Sequence, residues 1–408
     1  MRFAILSDLH LGYRQYGSLE REEDFYLQYL ECMRQIKKHD VDYVIIAGDI
    51  FDKPNPSPKA MDIYRKGILS LDGIPTYTIT GNHTMLMRDN HYTVDNYFSE
   101  SGIDEYHLID DSIAFEDDFD ITGLIYRSDN DLDVLNEVRK DLLPHQKKDK
   151  FHILVIHQAL KEYCGFTGAE LSINDLDYSN YDLIVCGHIH SPHTEKIDDT
   201  LFIQPGSIER MNTTEAADDI QKGKGYFIYD TRSEELEFCK VDPLREFLLG
   251  DIEFNSVEDI DNHFEQLRES LKEKTFLPIV SYNYYDNTGH TVHIREQMKN
   301  LKVLINNSNV YDLTEEVPSL EISEGELPTV IEAIDMAAPE SFDEKSTKLA
   351  KEIFEAYDSN NEDKVEGIIS SFFEKNYPPV EGLSEEDIQQ YEKEVKEYEE
   401  FFDKLGEK

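Results

Sequence analysis

The stretch FAILSDLHLG, residues 3–12, decides the fold. Its apolar run predicts a short buried β-strand, and two polar side chains, Asp8 and His10, follow that strand directly. Four later apolar runs, YVIIAG, TYTIT, FHILVIH and DLIVCG, end in the same way, followed or closed by Asp49, by Asn82 and His83, by His157, and by His188 and His190. Loops at the carboxyl ends of strands collect ligands in layered α/β folds. We therefore expect these side chains to meet at one edge.

The pattern around these runs predicts the layers of the fold. Amphipathic stretches over Glu20–Lys38 and Ser57–Leu71 predict helices between the first strands. Fewer helices separate the later strands, which include LFIQPG, GYFIYD and LEFCKVD. Two sheets packed face to face with helices outside account for this order. The sequence thus favours an α/β/β/α sandwich over residues 1–250.

The character of the chain changes after Gly250. Residues 251–311 predict a small α/β capping domain, with Ser256 capping a helix over Val257–Lys272, a strand at IVSYNYY and a helix over His293–Leu301. Residues 312–343 are acidic and interrupted by proline, which is typical of a linker. Residues 344–408 predict helices, the last with one apolar stripe. That helix either packs on its own domain or binds a partner.

Composition limits the class of protein. With 408 residues, 39% of them hydrophobic, the chain can form real cores, and it has no run of roughly 18–20 apolar residues that could span a membrane. We expect a soluble cytoplasmic protein. The four cysteines lack CxxC spacing, which predicts neither a disulfide framework nor a zinc cage. They are expected to be buried as small apolar residues.

The chain is strongly acidic. It has 40 basic and 86 acidic residues, a formal net charge of −46. Such a charge repels nucleic acids and membrane surfaces at long range and makes nonspecific coating of DNA unfavourable. Three explanations remain open: a salt-rich cytoplasm, a basic partner, or a site where bound cations reverse the local sign.

The side chains at the strand ends predict a metal site. Imidazoles, two carboxylates and an amide, without a thiolate, suit Mn²⁺, Fe²⁺ or Zn²⁺. There are more ligands than one catalytic ion needs, so we expect two ions about 3.5–4 Å apart, bridged by Asp49 and suited to hydrolysis of phosphate esters. His83 is predicted to protonate the leaving oxygen or to stabilise the phosphorus centre. A hydrogen-bonded turn histidine is the alternative for His83.

These motifs resemble those of a known superfamily. DLHLG, GDIFD, GNH and GHIH resemble the calcineurin-like metallophosphoesterases. LSDLHLGYRQ, AGDIFDKPNPSP and QPGSIER resemble the SbcD-type, or meiotic-recombination, nuclease family over residues 1 to about 245. The resemblance implies manganese as the metal, with His83 as the catalytic histidine. It also implies Asp8, His10, Asp49 and His190 around one ion and Asp49, Asn82, His157 and His188 around the other.

The resemblance also implies an activity and partners. The family cuts duplex DNA ends as a 3′→5′ exonuclease and single strands as an endonuclease, in double-strand break repair. Its C-terminal helices bind an SMC-like coiled-coil ABC ATPase of the SbcC type. It forms homodimers through helices that here correspond to Ser57–Leu71 and Met85–Phe98. Such a protein acts at the nucleoid in the cytoplasm.

Some features leave alternatives open. Thr84 stands where the family has an acid that orients the catalytic histidine, which predicts a slower reaction. Arg14, Lys53 and Arg88 are candidate phosphate contacts or simply solvated surface. Another calcineurin-like enzyme is possible, although GDIFDKP lacks the arginine of the GDxVDRG motif of protein phosphatases. A non-catalytic subunit that holds an ATPase complex together is the third interpretation.

Overall fold

A computed structural model of the protein describes residues 1–85, 93–128, 131–143, 149–164, 169, 171–314 and 351. Met1–Glu316 form one compact unit and Val317–Lys408 form a second. No helix within the described ranges is long and apolar enough to cross a membrane. The predicted linker and C-terminal helices lie outside these ranges, except for residues 312–314 and 351.

The strands are β1 (Arg2–Leu6), β2 (Tyr43–Ile46), β3 (Thr76–Thr78), β4 (Tyr106–Leu108), β5 (Ser112–Phe115), β6 (Phe119–Leu124), β7 (Phe151–His157), β8 (Leu183–Gly187), β9 (His193–Ile197), β10 (Thr200–Gln204), β11 (Gly225–Asp230), β12 (Glu235–Lys240), β13 (Phe247–Phe254), β14 (Ile279–Asp286), β15 (Ile305–Asn306) and β16 (Asn309–Asp312). The α-helices are α1 (Leu19–Lys38), α2 (Pro58–Ser70), α3 (Val94–Ser99), α4 (Leu132–Leu142), α5 (Thr213–Lys222), α6 (Val257–Leu271) and α7 (Thr291–Lys299).

These strands form three sheets. The first has the order β12-β11-β1-β2-β3-β4 and the second the order β5-β6-β7-β8-β10-β9. In the first sheet, β1 to β4 are parallel, and β11 and β12 add antiparallel strands beyond β1. The parallel strands β1, β2 and β3 therefore deliver their carboxyl ends to one edge of this sheet.

Side chains on the two faces of each strand pack into separate cores, which form the layers of the sandwich. Phe3 and Ile5 of β1 pack in the core between the two sheets, together with Ile153 and Val155 of β7. The intervening β1 residues lie in a second core under α1, α2 and α3, and a third core packs the other face of β7 against α4. Successive residues of a strand point to opposite faces, which explains this division. The α/β/β/α sandwich predicted from the sequence is confirmed.

Local signals set the helix ends. The Ser57 hydroxyl accepts a hydrogen bond from the Ala60 amide at 3.1 Å, and Pro58 occupies the first helical turn, so α2 begins just inside the predicted range. The Ser256 hydroxyl likewise accepts from the Asp259 amide at 3.1 Å. The helix predicted at His293–Leu301 begins earlier and ends earlier, at Thr291–Lys299.

The third sheet surrounds its own apolar core. Its order is β13-β14-β15, with β16 also on β14, and α6 and α7 contribute Phe264 and Ile294 to the core. Strand β13 runs through the predicted boundary at residue 250, and β16 includes Asp312, which the sequence assigned to the linker. The predicted boundaries rest on changes of composition along the sequence. The observed boundaries of this sheet depend instead on which strands pair. The division into domains stays a prediction.

A buried ion network joins α1 to the chain that enters the third sheet. The Asp24 carboxylate, fully buried, accepts from Arg21 Nη1 at 2.5 Å and from Arg245 Nε at 2.8 Å. Arg21 also lies 3.6 Å from the buried Glu209 carboxylate. Two positive and two negative side chains thus balance one another away from water, which is the condition for burying such charges.

Candidate metal centre

The ligand-bearing loops have unusual backbone conformations. Asp8, His10, Asp49 and His188 have φ angles of 53°, 45°, 49° and 89°. Left-handed φ is uncommon outside glycine and occurs at functional sites, where neighbouring structure enforces it. Here backbone hydrogen bonds tie the loops together, from the Asp8 amide to the Gly48 carbonyl at 3.2 Å and from the His10 amide to the Asp49 carbonyl at 3.0 Å.

Two glycines allow the two sheets to approach at this edge. A Cβ atom at Gly81 would collide with the side chain and amide of Asp49. A Cβ atom at Gly187 would collide with the Ala47 carbonyl and would lie 2.7 Å from His157 Nδ1. Glycine is therefore required where β2, β7 and β8 end side by side.

The first cluster contains Asp8, His10 and His190. Two imidazole nitrogens, His10 Nε2 and His190 Nε2, face each other at 3.1 Å. Asp8 Oδ1 lies 4.0 Å from His190 Nε2, and Asp49 Oδ2 lies 3.8 Å from His10 Nε2. Asp8 and His10 are fully buried, so these donor atoms converge away from bulk water.

The second cluster contains Asp49, Asn82, His157 and His188. Asn82 Oδ1 lies 3.1 Å from His157 Nε2 and 2.9 Å from His188 Nδ1. Asp49 Oδ2 lies 3.1 Å from His157 Nε2. Asp49 therefore takes part in both clusters, as expected for a bridging ligand.

Neighbouring acceptors orient two of the imidazoles. His157 Nδ1 is 2.7 Å from the Ala47 carbonyl, and His190 Nδ1 is 2.6 Å from Glu215 Oε1. Since these oxygens accept, each Nδ1 is the donor, and each Nε2 faces the cluster. The buried Lys224 ammonium in turn donates to Glu215 Oε2 at 3.1 Å.

Burial and charge shift the pKa values in the two clusters. Burial lowers the pKa of His10 and lowers that of His188 to about 3. Burial opposes the charged form of His157 as well, but Asp49 outweighs it and raises the pKa of His157 to about 9. Burial also disfavours the charged Glu215, but His190 and Lys224 outweigh it and lower the pKa of Glu215 to about 2.

The donor set fits divalent cations. His10 and His188 are neutral near pH 7 and offer lone pairs, while Asp49 is held anionic by its histidine neighbours. Metal–ligand bonds of about 2.1 Å at right angles place adjacent donor atoms roughly 3.0 Å apart. The closest pairs in the two clusters lie at 2.9 and 3.1 Å. Nitrogen and oxygen donors without sulfur match the borderline metals that the sequence predicts.

Comparison with known families agrees with this geometry. Residues 1–192 match the family described as calcineurin-like phosphoesterase. Residues 1–192, which carry most of both clusters, are thus similar to the calcineurin-like phosphoesterases. Both the resemblance stated from the sequence and the predicted class of enzyme, a metal-dependent phosphoesterase, are confirmed at this level.

The chain is also similar to several curated proteins that share one name. The chain is 29% identical over 273 residues to the DNA double-strand break repair protein Mre11 of Methanococcus maripaludis, covering 64% of this chain and 67% of the relative. It is 28% identical over 309 residues to the protein of the same name from Archaeoglobus fulgidus, covering 65% of this chain and 64% of the relative. The match to the Methanocaldococcus jannaschii protein of that name is 26% over 264 residues, covering 61% and 68%. The matched part spans about two thirds of these relatives.

His83 lies beside the first cluster, with its ring 4.7 Å from that of His10. The His83 side chain is 38% exposed, and its Nδ1 lies 2.9 Å from the Asp52 carbonyl oxygen and 3.9 Å from Asp52 Oδ1. The His83 amide donates to Asp49 Oδ1 at 3.0 Å. The backbone carbonyl of Asp52 therefore orients the His83 ring, and the Asp52 carboxylate lies close to it. The sequence analysis missed this role, although Asp52 lies in the GDIFD motif.

Thr84, the residue after His83, is buried, with its side chain 1% exposed. Its hydroxyl interacts with the carboxylate of the buried Asp95. Burial raises the pKa of Asp95 to about 7. The slower reaction inferred from Thr84 stays a prediction.

Two of the three candidate phosphate contacts lie within the described residues. Arg14 is 51% exposed and pairs with the Glu22 carboxylate, while Lys53 is exposed beside Asp52. Arg88 lies outside the described residues. Contacts of these side chains with DNA stay a prediction.

We expect Glu215 to control metal affinity at the first cluster. Glu215→Gln removes the charge that His190 and Lys224 stabilise, so His190 becomes a poorer ligand. Loss of such an outer partner weakens metal binding by about 10–100-fold. Calorimetric titration of the full chain with Mn²⁺ measures this effect. Glu234→Gln, which alters a 70% exposed carboxylate, is the matched control, and equal affinities for the two variants contradict the role of Glu215.

Proposed function

We propose that this protein is a manganese-dependent DNA nuclease of double-strand break repair. It would act as a 3′→5′ exonuclease on duplex ends and as an endonuclease on single strands. One observation carries the proposal: donor side chains from five separate loops meet in two clusters that share Asp49. The name of the curated relatives, DNA double-strand break repair protein, supports DNA as the substrate.

The residues divide into two roles. Asp8, His10, Asp49 and His190 would hold one cation and Asp49, Asn82, His157 and His188 the other. A bound pair of divalent cations makes hydroxide available near neutral pH and neutralises charge on phosphoryl oxygens. His83 donates through Nδ1 to the Asp52 carbonyl, so a protonated ring would carry its second proton on Nε2, from which it could pass to the leaving oxygen of the broken phosphodiester.

Partners follow from the same proposal. The net charge of −46 requires local basic side chains, bound cations or a partner for phosphate contacts. We propose an SMC-like ABC ATPase of the SbcC type as that partner, bound by residues 344–408. Homodimer formation would use α2 and α3, where Leu69 and Tyr97 are 47% and 49% exposed. We place the complex at the nucleoid in the cytoplasm.

Metal dependence tests the proposed function. The full chain, stripped with chelator, should not cut linear duplex, hairpin or single-stranded DNA, and Mn²⁺ should restore cleavage. Substrates labelled at either end distinguish 3′→5′ from 5′→3′ digestion. Activity confined to phosphoserine peptides, or to small phosphodiesters, assigns the site to another phosphoesterase. Manganese uptake without hydrolysis of any of these substrates favours a structural subunit.

A further inference from the structure

A second group of metal-ligating side chains lies on the outer strand of the first sheet. Glu237 and Cys239 alternate along β12, which places them on the same face of this edge strand. His39 follows α1 as its C-terminal cap and lies against that face. One imidazole, one carboxylate and one thiol thus come together from two elements 200 residues apart in sequence.

The distances match a tetrahedral metal site. His39 Nε2 lies 3.8 Å from Cys239 Sγ, and one ligand atom from each of His39, Glu237 and Cys239 lies within 4.8 Å of the others. Bonds of about 2.3 Å to sulfur and 2.0–2.1 Å to nitrogen at a tetrahedral angle separate the two atoms by roughly 3.6 Å. Only a small adjustment of the side chains is needed to close around an ion.

A buried tyrosine adds an independent observation. Tyr226 of β11 is paired with Cys239 across the sheet and is fully buried. Its hydroxyl lies beside the Cys239 thiol and interacts with that sulfur. A thiolate is a better hydrogen-bond acceptor than a thiol. A metal-bound Cys239 thiolate would therefore strengthen its hydrogen bond from the Tyr226 hydroxyl.

We propose that His39, Glu237 and Cys239 form a peripheral binding site for a single transition-metal ion, best matched by Zn²⁺. Thiolate and imidazole ligands favour zinc over manganese, and the exposed Glu237 leaves the fourth position open to water. The site is separate from the phosphoesterase centre, whose donors include no sulfur. It would tie the end of α1 to an edge strand and so stabilise the folded state by mass action.

Cobalt provides a direct test, because a thiolate bound to Co²⁺ produces a charge-transfer absorption in the near ultraviolet. Titration of the full chain with Co²⁺ should give this band, its final intensity corresponding to one thiolate-bound ion per chain in addition to any ions in the phosphoesterase centre, and Zn²⁺ should abolish it. Cys239→Ser should remove the band completely. Glu237→Gln changes only an exposed carboxylate, should leave the fold intact, and should weaken Co²⁺ binding at least 10-fold.

Cys164→Ser is the matched control, since it removes a partly exposed thiol outside the cluster. It should leave both the band and its midpoint unchanged. The proposal is overturned if the unaltered chain shows no thiolate band, if the band survives Cys239→Ser, or if Glu237→Gln binds Co²⁺ as tightly as the unaltered chain. None of these outcomes depends on DNA cleavage, so they leave the proposed nuclease activity untouched.

Discussion

Replacing His83 by alanine should lower the rate of manganese-dependent DNA cleavage by about 10²–10⁴-fold, the usual contribution of a general acid. The Asp52 carbonyl holds His83 Nδ1 at 2.9 Å, which fixes the ring with Nε2 available to the substrate. Alanine removes this proton donor and leaves Asp8, Asp49 and the other cluster side chains in place. Single-turnover cleavage of end-labelled DNA at saturating Mn²⁺ measures the change without interference from product release.

Manganese content distinguishes a catalytic from a ligating role for His83. Its imidazole lies close enough to His10 and Asp49 to form a third candidate group. If His83 acts on the substrate, His83→Ala binds as much Mn²⁺ as the unaltered chain. A loss of metal together with activity would instead make His83 a ligand. His293→Ala, which removes a histidine paired with Asp261 in α6, should change neither quantity.

Replacing Asp24 by alanine should destabilise the protein by about 3–5 kcal/mol, as expected when one partner of a buried ion network is lost. Asp24 is fully buried, and its carboxylate accepts from Arg21 and Arg245, which are 0% and 3% exposed. Its removal leaves the buried Arg21 and Arg245 guanidinium groups without the carboxylate that they share. Chemical unfolding followed by tyrosine fluorescence, which suits a chain with 24 tyrosines and no tryptophan, measures the loss.

Two variants separate charge from hydrogen bonding in this network. Asp24→Asn keeps an accepting oxygen but removes the negative charge, so its stability should fall between those of the alanine variant and the unaltered chain. Asp62→Ala breaks an exposed pair with Lys66, four residues along α2, and should cost less than about 1 kcal/mol. If Asp24→Ala costs no more than Asp62→Ala, the network does not stabilise the fold.

The sequence by itself determined the sandwich and the loops that carry the ligands. An apolar run of β-branched residues predicts a buried strand, and capping residues such as Ser57 predict where a helix begins. Because these signals act between neighbours in the chain, they can be read without knowing the fold. Asp8, Asp49 and His188 could be expected at one edge for the same reason: each lies within about three residues of the end of a strand.

Only the tertiary structure decided which distant side chains touch. Glu215 lies in α5 with no motif of its own, yet it orients His190. The backbone carbonyl of Asp52, more than thirty residues before it in the chain, accepts from His83 Nδ1. His39 and Cys239 become neighbours only because α1 ends over β12. Such pairs depend on how helices and sheets pack against each other, and this packing is set by the whole core. The residue pattern of either segment alone therefore does not predict them.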